Sequence, residues 1–413
     1  TGAGASSFVR GVSSTASGNI QHVVIIIQEN RSFNNLFMGF PGATTSTTGT
    51  LCNGKVIPLH AVPLEANYDV GHGLFDFLAA YNNGKGGCFN KERYVGPPPT
   101  PSHFGYGYVP QSEIGPYWAM ASAYTLADQM FTSNIDASYV AHQYLIAGQA
   151  QSSVDVPNKT PWGCDGPSGE VVSIITQQRT YGGTQTPCFS YPTLANGLDA
   201  AGLTWRYYSP PLIKGTGSLW SAFDSISPVR YGPDWANVIS PETQILTDVA
   251  AGTLANVTWV VPDAQNSDHS GFNGKNGPQW VASVVDAIGN SQFWNSTAIF
   301  VVWDDWGGWY DPVVPKYVDY DGLGFRVPLI AISPYALTNH VAHTQYEFGS
   351  ILKFVEDTWN LPRLAASDTR AHPFGRDVFN FKQNPTPFSP FARPGEAARF
   401  IHERPSYRLP DAE

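Results

Sequence analysis

Charge is scarce in this chain of 413 residues: Asp, Glu, Lys and Arg make up only 14%, against roughly 25% in an ordinary globular protein. Basic charge is scarcer still, with 23 Lys and Arg against 33 Asp and Glu and a formal net charge of -10. No basic stripe exists to release phosphate counterions, which excludes a general nucleic-acid binder. No apolar stretch approaches the ~20 residues needed to cross a bilayer as a helix, so a soluble protein is expected. Cysteine is limited to Cys52, Cys88, Cys164 and Cys188, with no CxxC pair and no histidine at zinc-ligand spacing from any of them. That excludes the common structural zinc modules. The opening Thr1-Gly2-Ala3-Gly4-Ala5-Ser6-Ser7 lacks both a charged n-region and an apolar h-region; any signal peptide is expected to have been removed already.

What the chain does have is aromatic rings, 13% of residues, with 40 glycines and 33 prolines. This suits a rigid, loop-rich protein with an apolar interior. All four cysteines sit in Gly/Pro/Asn-rich sequence, and their even number favours two disulfides and an oxidising compartment, hence a secreted or periplasmic protein. Three pairings are open, of which Cys52–Cys88 with Cys164–Cys188 is the simplest; a cytosolic protein with four idle thiols is the competing reading. No composition break marks a second domain, so residues 1–413 read as one domain with a Pro-rich tail from about residue 384 that is expected to lie along the surface.

Two apolar runs end in acidic residues. His22-Val23-Val24-Ile25-Ile26-Ile27-Gln28 leads into Glu29-Asn30, and Ala298-Ile299-Phe300-Val301-Val302-Trp303 leads into Asp304-Asp305 and then Gly307-Gly308. Each run is short and β-branched, the pattern of a central strand buried on both faces. In open α/β sheets, ligands bind beyond the carboxyl ends of the strands. Carboxylates gathered there repel one another unless a cation or a proton lies between them. The pattern points to a hard metal ion beside a substrate, although an Asp-Asp-x-Gly-Gly segment alone would equally suit a solvated turn.

Elsewhere helix-like and strand-like runs alternate. Helices are expected at Tyr117–Tyr124, from Ser138 to a stop at Gly148, at Leu194–Gly202, Gln279–Ala287 and Glu347–Trp359. Strands are expected at Thr204–Tyr208, Asn256–Val261 and Val327–Ile332, while residues 40–115 show little period. Such alternation implies βαβ units and a mostly parallel sheet.

Several short segments resemble, in order, a bacterial phosphoesterase family that contains phospholipases C and AcpA-type acid phosphatases. They are Gln28-Glu29-Asn30-Arg31-Ser32-Phe33, Ser267-Asp268-His269, Trp303-Asp304-Asp305-Trp306-Gly307-Gly308-Trp309-Tyr310-Asp311, Arg326-Val327-Pro328 with Ser333-Pro334, and His343-Thr344 with Ser350-Ile351-Leu352. The resemblance spans about residues 20 to 370 and implies an alkaline-phosphatase-like α/β/α sandwich with a hydroxyl nucleophile beside a metal site.

Aligned on the family pattern, the nucleophile falls on Ser138, beyond Phe131-Thr132-Ser133, with Asp136-Ala137 where relatives carry Gly-Pro. A hydroxyl at a helix N-terminus sits in the positive end of the macrodipole, but a serine there is also a common N-cap. The resemblance implies one divalent metal held by Glu29, Asn30, Asp304, Asp305 and Ser138. An oxygen-only set favours Mg²⁺, Ca²⁺ or Mn²⁺ over Zn²⁺. Asn30 and His142, which lies one helical turn after Ser138, are candidates for substrate binding, and His142 would serve equally as a core histidine. His269 is the candidate general acid, and His72 matches a second catalytic-site histidine of the family that would bind the phosphoryl oxygens. Isolated histidines are more often structural. Arg31 suits either a phosphate clamp or a buried partner for a carboxylate. Where many relatives carry histidines, this chain has Asn34-Asn35 and Pro312.

The expected activity is hydrolysis of phosphoric esters through a phosphoserine, on small phosphate esters or phospholipid headgroups. Tyr139, Trp303, Trp306, Trp309 and Tyr310 would cage a choline ammonium if they faced the site, or form ordinary core. Two other readings stand beside this one: a secreted aromatic-rich binding protein without turnover, and a sulfatase or phosphonate hydrolase of the wider superfamily.

Overall fold

A computed structural model describes residues 18–96, 103–212, 220–271, 274–364 and 366–406. Its centre is one eight-stranded sheet built from β1 (His22–Gln28), β2 (Thr125–Ala127), β3 (Trp205–Tyr208), β4 (Val238–Ile239), β5 (Val257–Val260), β6 (Thr297–Trp303), β7 (Leu329–Ile332) and β8 (His340–Ala342). The strand order is β4-β3-β5-β1-β6-β7-β2-β8. β1 lies in the interior, parallel to β5 and β6 on either side. Its residues from Val23 onward are fully buried, and so is all of β6. Both faces are covered, which is why these strands read as unbroken apolar runs rather than alternating ones.

Side-chain alternation along β6 places the helices. Phe300 packs edge-on against Phe354 of the helix Phe348–Trp359, whereas Trp303, three residues on and therefore on the other face, packs against Tyr117 of the helix Gly115–Ala123. The first helix belongs to a layer with Ser138–Ala147, and the second to a layer with Gly277–Gly289. The chain is therefore an α/β/α sandwich, as the resemblance implied.

The sheet is mostly parallel, with one exception. β7 runs antiparallel to both β6 and β2. No helix lies between Trp303 and Leu329, so the connection returns as a loop, and a strand reached this way needs no crossover. Residues 40–115 carry more order than their composition suggests. They hold a helix at Leu74–Tyr81 and small two-stranded pairings, including Asp69–Val70 with Tyr94–Val95. Cys52 bonds Cys88 and Cys164 bonds Cys188, the simplest of the three pairings. The tail is more than a surface strap: Phe388 packs on Trp294, and Phe400, in the short helix Glu396–Ile401, packs fully buried on Trp280. Two phenylalanines in an otherwise Pro-rich segment supply that anchoring.

Candidate active site

Strand register creates the site. Gln28 is level with Trp303 in the β1–β6 ladder, so the residues that follow, Glu29 and Asp304, leave the sheet side by side. A slip of one residue would send one of them to the opposite face. The backbone beyond is then folded tightly. Asn30 adopts the left-handed conformation at φ 56°, and its N–H donates to Asp304 Oδ1 at 2.8 Å. Asp305 N–H donates to the same oxygen at 2.7 Å, and Gly307 N–H to Asp305 Oδ1 at 2.7 Å. Gly307 has φ 59°, and a Cβ there would collide with the Asn30 carbonyl; only glycine permits this approach.

Ser138 opens the helix Ser138–Ala147 as its first residue, and Ala137 is the cap. Its hydroxyl makes no capping bond. It faces instead Asn30 Oδ1 at 3.1 Å and Asp305 Oδ2 at 3.2 Å. The helix ends where Gly148 takes φ 68°. One turn after Ser138, His142 Nε2 lies 2.9 Å from Glu29 Oε1 and 3.6 Å from Asp304 Oδ2.

His72 joins through Asn30. Its Nδ1 lies 2.7 Å from the Val70 carbonyl, which fixes the proton there, and Nε2 accepts from Asn30 Nδ2 at 2.5 Å. His72 Nε2 is also 3.8 Å from Asp305 Oδ2. His269 packs edge-to-face on His72, ring centroids 6.0 Å apart, with Nδ1 held 2.6 Å from the Ser270 carbonyl. The structure thus gathers Glu29, Asn30, His72, Ser138, His142, Asp304 and Asp305 into one buried constellation with His269 against its edge.

Three carboxylates buried together need positive charge. Burial by itself would raise the Asp304 carboxyl, but nearby His142 above all outweighs it and holds the group below the usual carboxylate range. Asp304 Oδ2 is buried with no hydrogen-bond donor among the described residues. Glu29, His142 and Asp304 each bring a ligand atom within 4.8 Å of the others. Orphaned oxygen, carboxylates and an imidazole fit a divalent cation. His142, expected as a substrate contact, lies in this group, and its nitrogen makes the convergent set mixed rather than oxygen-only.

Arg31 is a structural residue. Its guanidinium donates to the Asp268 and Leu64 carbonyls and to Asn35 Oδ1, and lies over the Trp309 ring. Asp268, beside His269, accepts from Tyr117 and from the Trp303 indole, and burial pushes its carboxyl up to about 6. Those contacts explain the fate of the aromatic motif. Trp303, Trp306 and Trp309 are fully buried and Tyr310 and Tyr139 nearly so, packed among core rings. They form core, so the choline cage drawn from them finds no support. Trp220 stacks on His269, ring centroids 6.2 Å apart. No local pattern in the sequence marks it.

The fold and site together define an α/β protein with a hydroxyl, a carboxylate group and histidines assembled beyond the sheet. Residues 20–362 match the model of the Phosphoesterase family, and the chain belongs to that family. It is 24% identical over 409 residues to the non-hemolytic phospholipase C of Burkholderia pseudomallei, covering 83% of this chain and 55% of that one. It is also 24% identical to phospholipase C B of Mycobacterium tuberculosis, over 90% of this chain and 80% of that one. The chain spans little more than half the length of the Burkholderia protein and of a non-hemolytic phospholipase C from Pseudomonas aeruginosa. Among solved structures, an alkaline phosphatase superfamily protein from Vibrio parahaemolyticus aligns with TM-score 0.42 at 11% identity, covering 88% of this chain and 73% of its own.

Proposed function

We propose that this chain hydrolyses phosphoric esters with Ser138 as the nucleophile. The observation that carries this reading is the Ser138 hydroxyl at a helix N-terminus, held by Asn30 Oδ1 and Asp305 Oδ2 beside the Glu29, His142 and Asp304 group. A serine hydroxyl is a weak nucleophile until a base or a metal activates it. Asp305 Oδ2 lies where it can take the proton. Asn30 fixes the direction of the hydroxyl, and His72, protonated at Nδ1, fixes Asn30 by accepting from its Nδ2. First-turn N–H groups of the Ser138 helix offer donors to phosphoryl oxygens.

The reaction is a double displacement. Ser138 Oγ bonds to phosphorus as the ester oxygen departs, and water then cleaves the phosphoserine to return the serine and release phosphate or a phosphomonoester. The departing alkoxide needs a proton. His269 is the donor in this reading, and with Nδ1 committed to Ser270 it must be doubly protonated to serve. Glu29, His142 and Asp304, with Asn30, Asp305 and Ser138 adjoining, would hold one divalent cation, which when bound supplies charge neutralisation to the phosphoryl oxygens.

The relatives named as phospholipases C make phospholipids the first substrate class to try, with monoesters beside them. Two disulfides suit an oxidising, extracytoplasmic setting. The deciding measurement is hydrolysis of p-nitrophenyl phosphate and p-nitrophenyl phosphorylcholine across pH 4–9, with Mg²⁺, Ca²⁺, Mn²⁺ or Zn²⁺ supplied. Turnover of either, lost in Ser138→Ala, supports the proposal. Silence on both would move the reading to a binding protein on the same fold.

A further inference from the structure

Ten large apolar side chains are exposed among the described residues, and seven of them fall at 75–95, 181 and 317–318. Scattered exposed apolar residues need no explanation, whereas a concentration of them does. Side-chain contacts tie these positions into one face. On the helix Leu74–Tyr81, Phe75 and Leu78 are three apart and Tyr81 three further on, one face of the helix. The guanidinium of Arg179 lies over both Tyr81 and Tyr317, joining that helix face to the 317–318 segment. At the helix N-terminus, Asp155 accepts from Leu74 N–H and from the Tyr181 hydroxyl. Arg93 lies over Phe75 and leads into the exposed strand Tyr94–Val95.

The face borders the candidate active site. The helix starts two residues after His72, and Arg93 O accepts from Gly71 N–H. Asp155 N–H in turn donates to Asp136, two residues before Ser138. Its fully exposed charges are basic, against the acidic balance of the chain as a whole. Across residues 74–96 these are Lys85, Lys91 and Arg93, of which Arg93 pairs with the buried Asp76; Glu92 is buried, and the one carboxylate at the helix start, Asp155, is half-buried. Lys316 is exposed next to Tyr317. A basic, aromatic and aliphatic face on a protein of net charge -10 matches a phospholipid surface in each respect: tyrosines suit the headgroup level, Phe75, Leu78 and Val95 the acyl boundary, and the cations anionic lipid.

We infer that this face docks the protein on a phospholipid bilayer and so brings lipid headgroups to the site beside it. The choice of partner rests on the phosphoesterase reading, and the test separates the two. Native chain and the triple variant Phe75→Ser/Leu78→Ser/Tyr317→Ser are sedimented with vesicles of phosphatidylcholine, with and without about one fifth phosphatidylglycerol. Hydrolysis of soluble p-nitrophenyl phosphorylcholine is measured in parallel. The native chain is expected to bind, more strongly with phosphatidylglycerol. The triple variant should bind at least tenfold more weakly and hydrolyse the soluble ester within twofold of native. Tyr231→Ser, another exposed aromatic outside this face, should bind as native. Native chain that ignores both vesicles, or a triple variant that binds as well as native, overturns the docking proposal whatever the soluble activity. A native dimer that the triple variant splits, with no vesicle binding, overturns it in favour of a second copy of the chain. Vesicle binding with no turnover of this ester or of p-nitrophenyl phosphate would leave the docking face standing and sink the hydrolase reading alone.

Discussion

Asn30 Oδ1 lies 3.1 Å from Ser138 Oγ, joining the end of a central strand to the start of a buried helix. Because the other end of the same amide donates to His72, Asn30 sets the hydroxyl by a bond it cannot swing away from. Replacing Asn30 by Ala should therefore lower kcat by roughly 10²–10³, the usual cost of losing one preorganised polar group. Ser138→Ala should abolish turnover. The double variant should be no worse than Ser138→Ala alone, since groups acting as a unit are not additive. Steady-state kinetics on p-nitrophenyl phosphate check all three; an unaltered kcat in Asn30→Ala would remove it from the site.

Metal content tests the acidic group independently of turnover. Glu29, His142 and Asp304 converge, with one Asp304 oxygen lacking a hydrogen bond among the described residues. Protein dialysed against a divalent cation should retain about one equivalent by elemental analysis. Glu29→Gln and His142→Ala should each weaken retention by at least roughly tenfold. A chelator should lower thermal stability as well as activity, since removing a ligand of the native state removes its linkage contribution. Equal metal retention in both variants would mean that the site lies elsewhere.

Much of this was legible in the chain itself, for identifiable reasons. β1 and β6 are continuous β-branched runs, and their acidic endings meet because the ladder sets Gln28 beside Trp303. Ser138 and His142 are four apart, so a helix places both on one side. Other features leave no local mark. Val327–Ile332 reads the same whichever way it runs, so the antiparallel direction of β7 was hidden. Leu74–Tyr81 is a short helix in Gly- and Asn-rich surroundings, and tertiary packing of Phe77 against Trp306 and Phe325 supports it. Trp303 precedes the acids Asp304 and Asp305, and Trp306 and Trp309 follow them, yet all three are buried in core. Trp220 meets His269 only through the fold.

The two histidines should separate kinetically. His269 is proposed to protonate the leaving group, so His269→Ala should slow alkyl phosphate esters far more than p-nitrophenyl esters, whose leaving group needs little help. His72 orients Asn30, so His72→Ala should slow both classes alike, by roughly 10–10². The measurement is kcat/KM across a series of leaving-group pKa values. A steeper dependence in His269→Ala than in native is expected. Parallel lines for native and His269→Ala would strip His269 of that role.

Buried carboxyls should also give the fold an unusual pH dependence. Burial pushes Asp263 up to about 6, Asp321 up to about 7 and Asp224 up to about 8. In the unfolded chain such groups titrate near 4. Between pH 4 and these raised values the folded state therefore holds more protons than the unfolded state, and stability falls as pH rises. Asp304 has the opposite sign, but its loss comes only on acidification below the ordinary carboxylate range. Tm should thus be highest near pH 5 and decline by a few °C toward pH 8.5. Asp321→Asn keeps an acceptor for the Tyr144 hydroxyl, which bonds Asp321, while removing the titrating group. It should leave Tm at pH 5 little changed and raise it at pH 8.5. Calorimetry of both proteins across this range decides, and a native Tm that instead climbs from pH 5 to 8 would show that these carboxyls are charged and paired in the folded state.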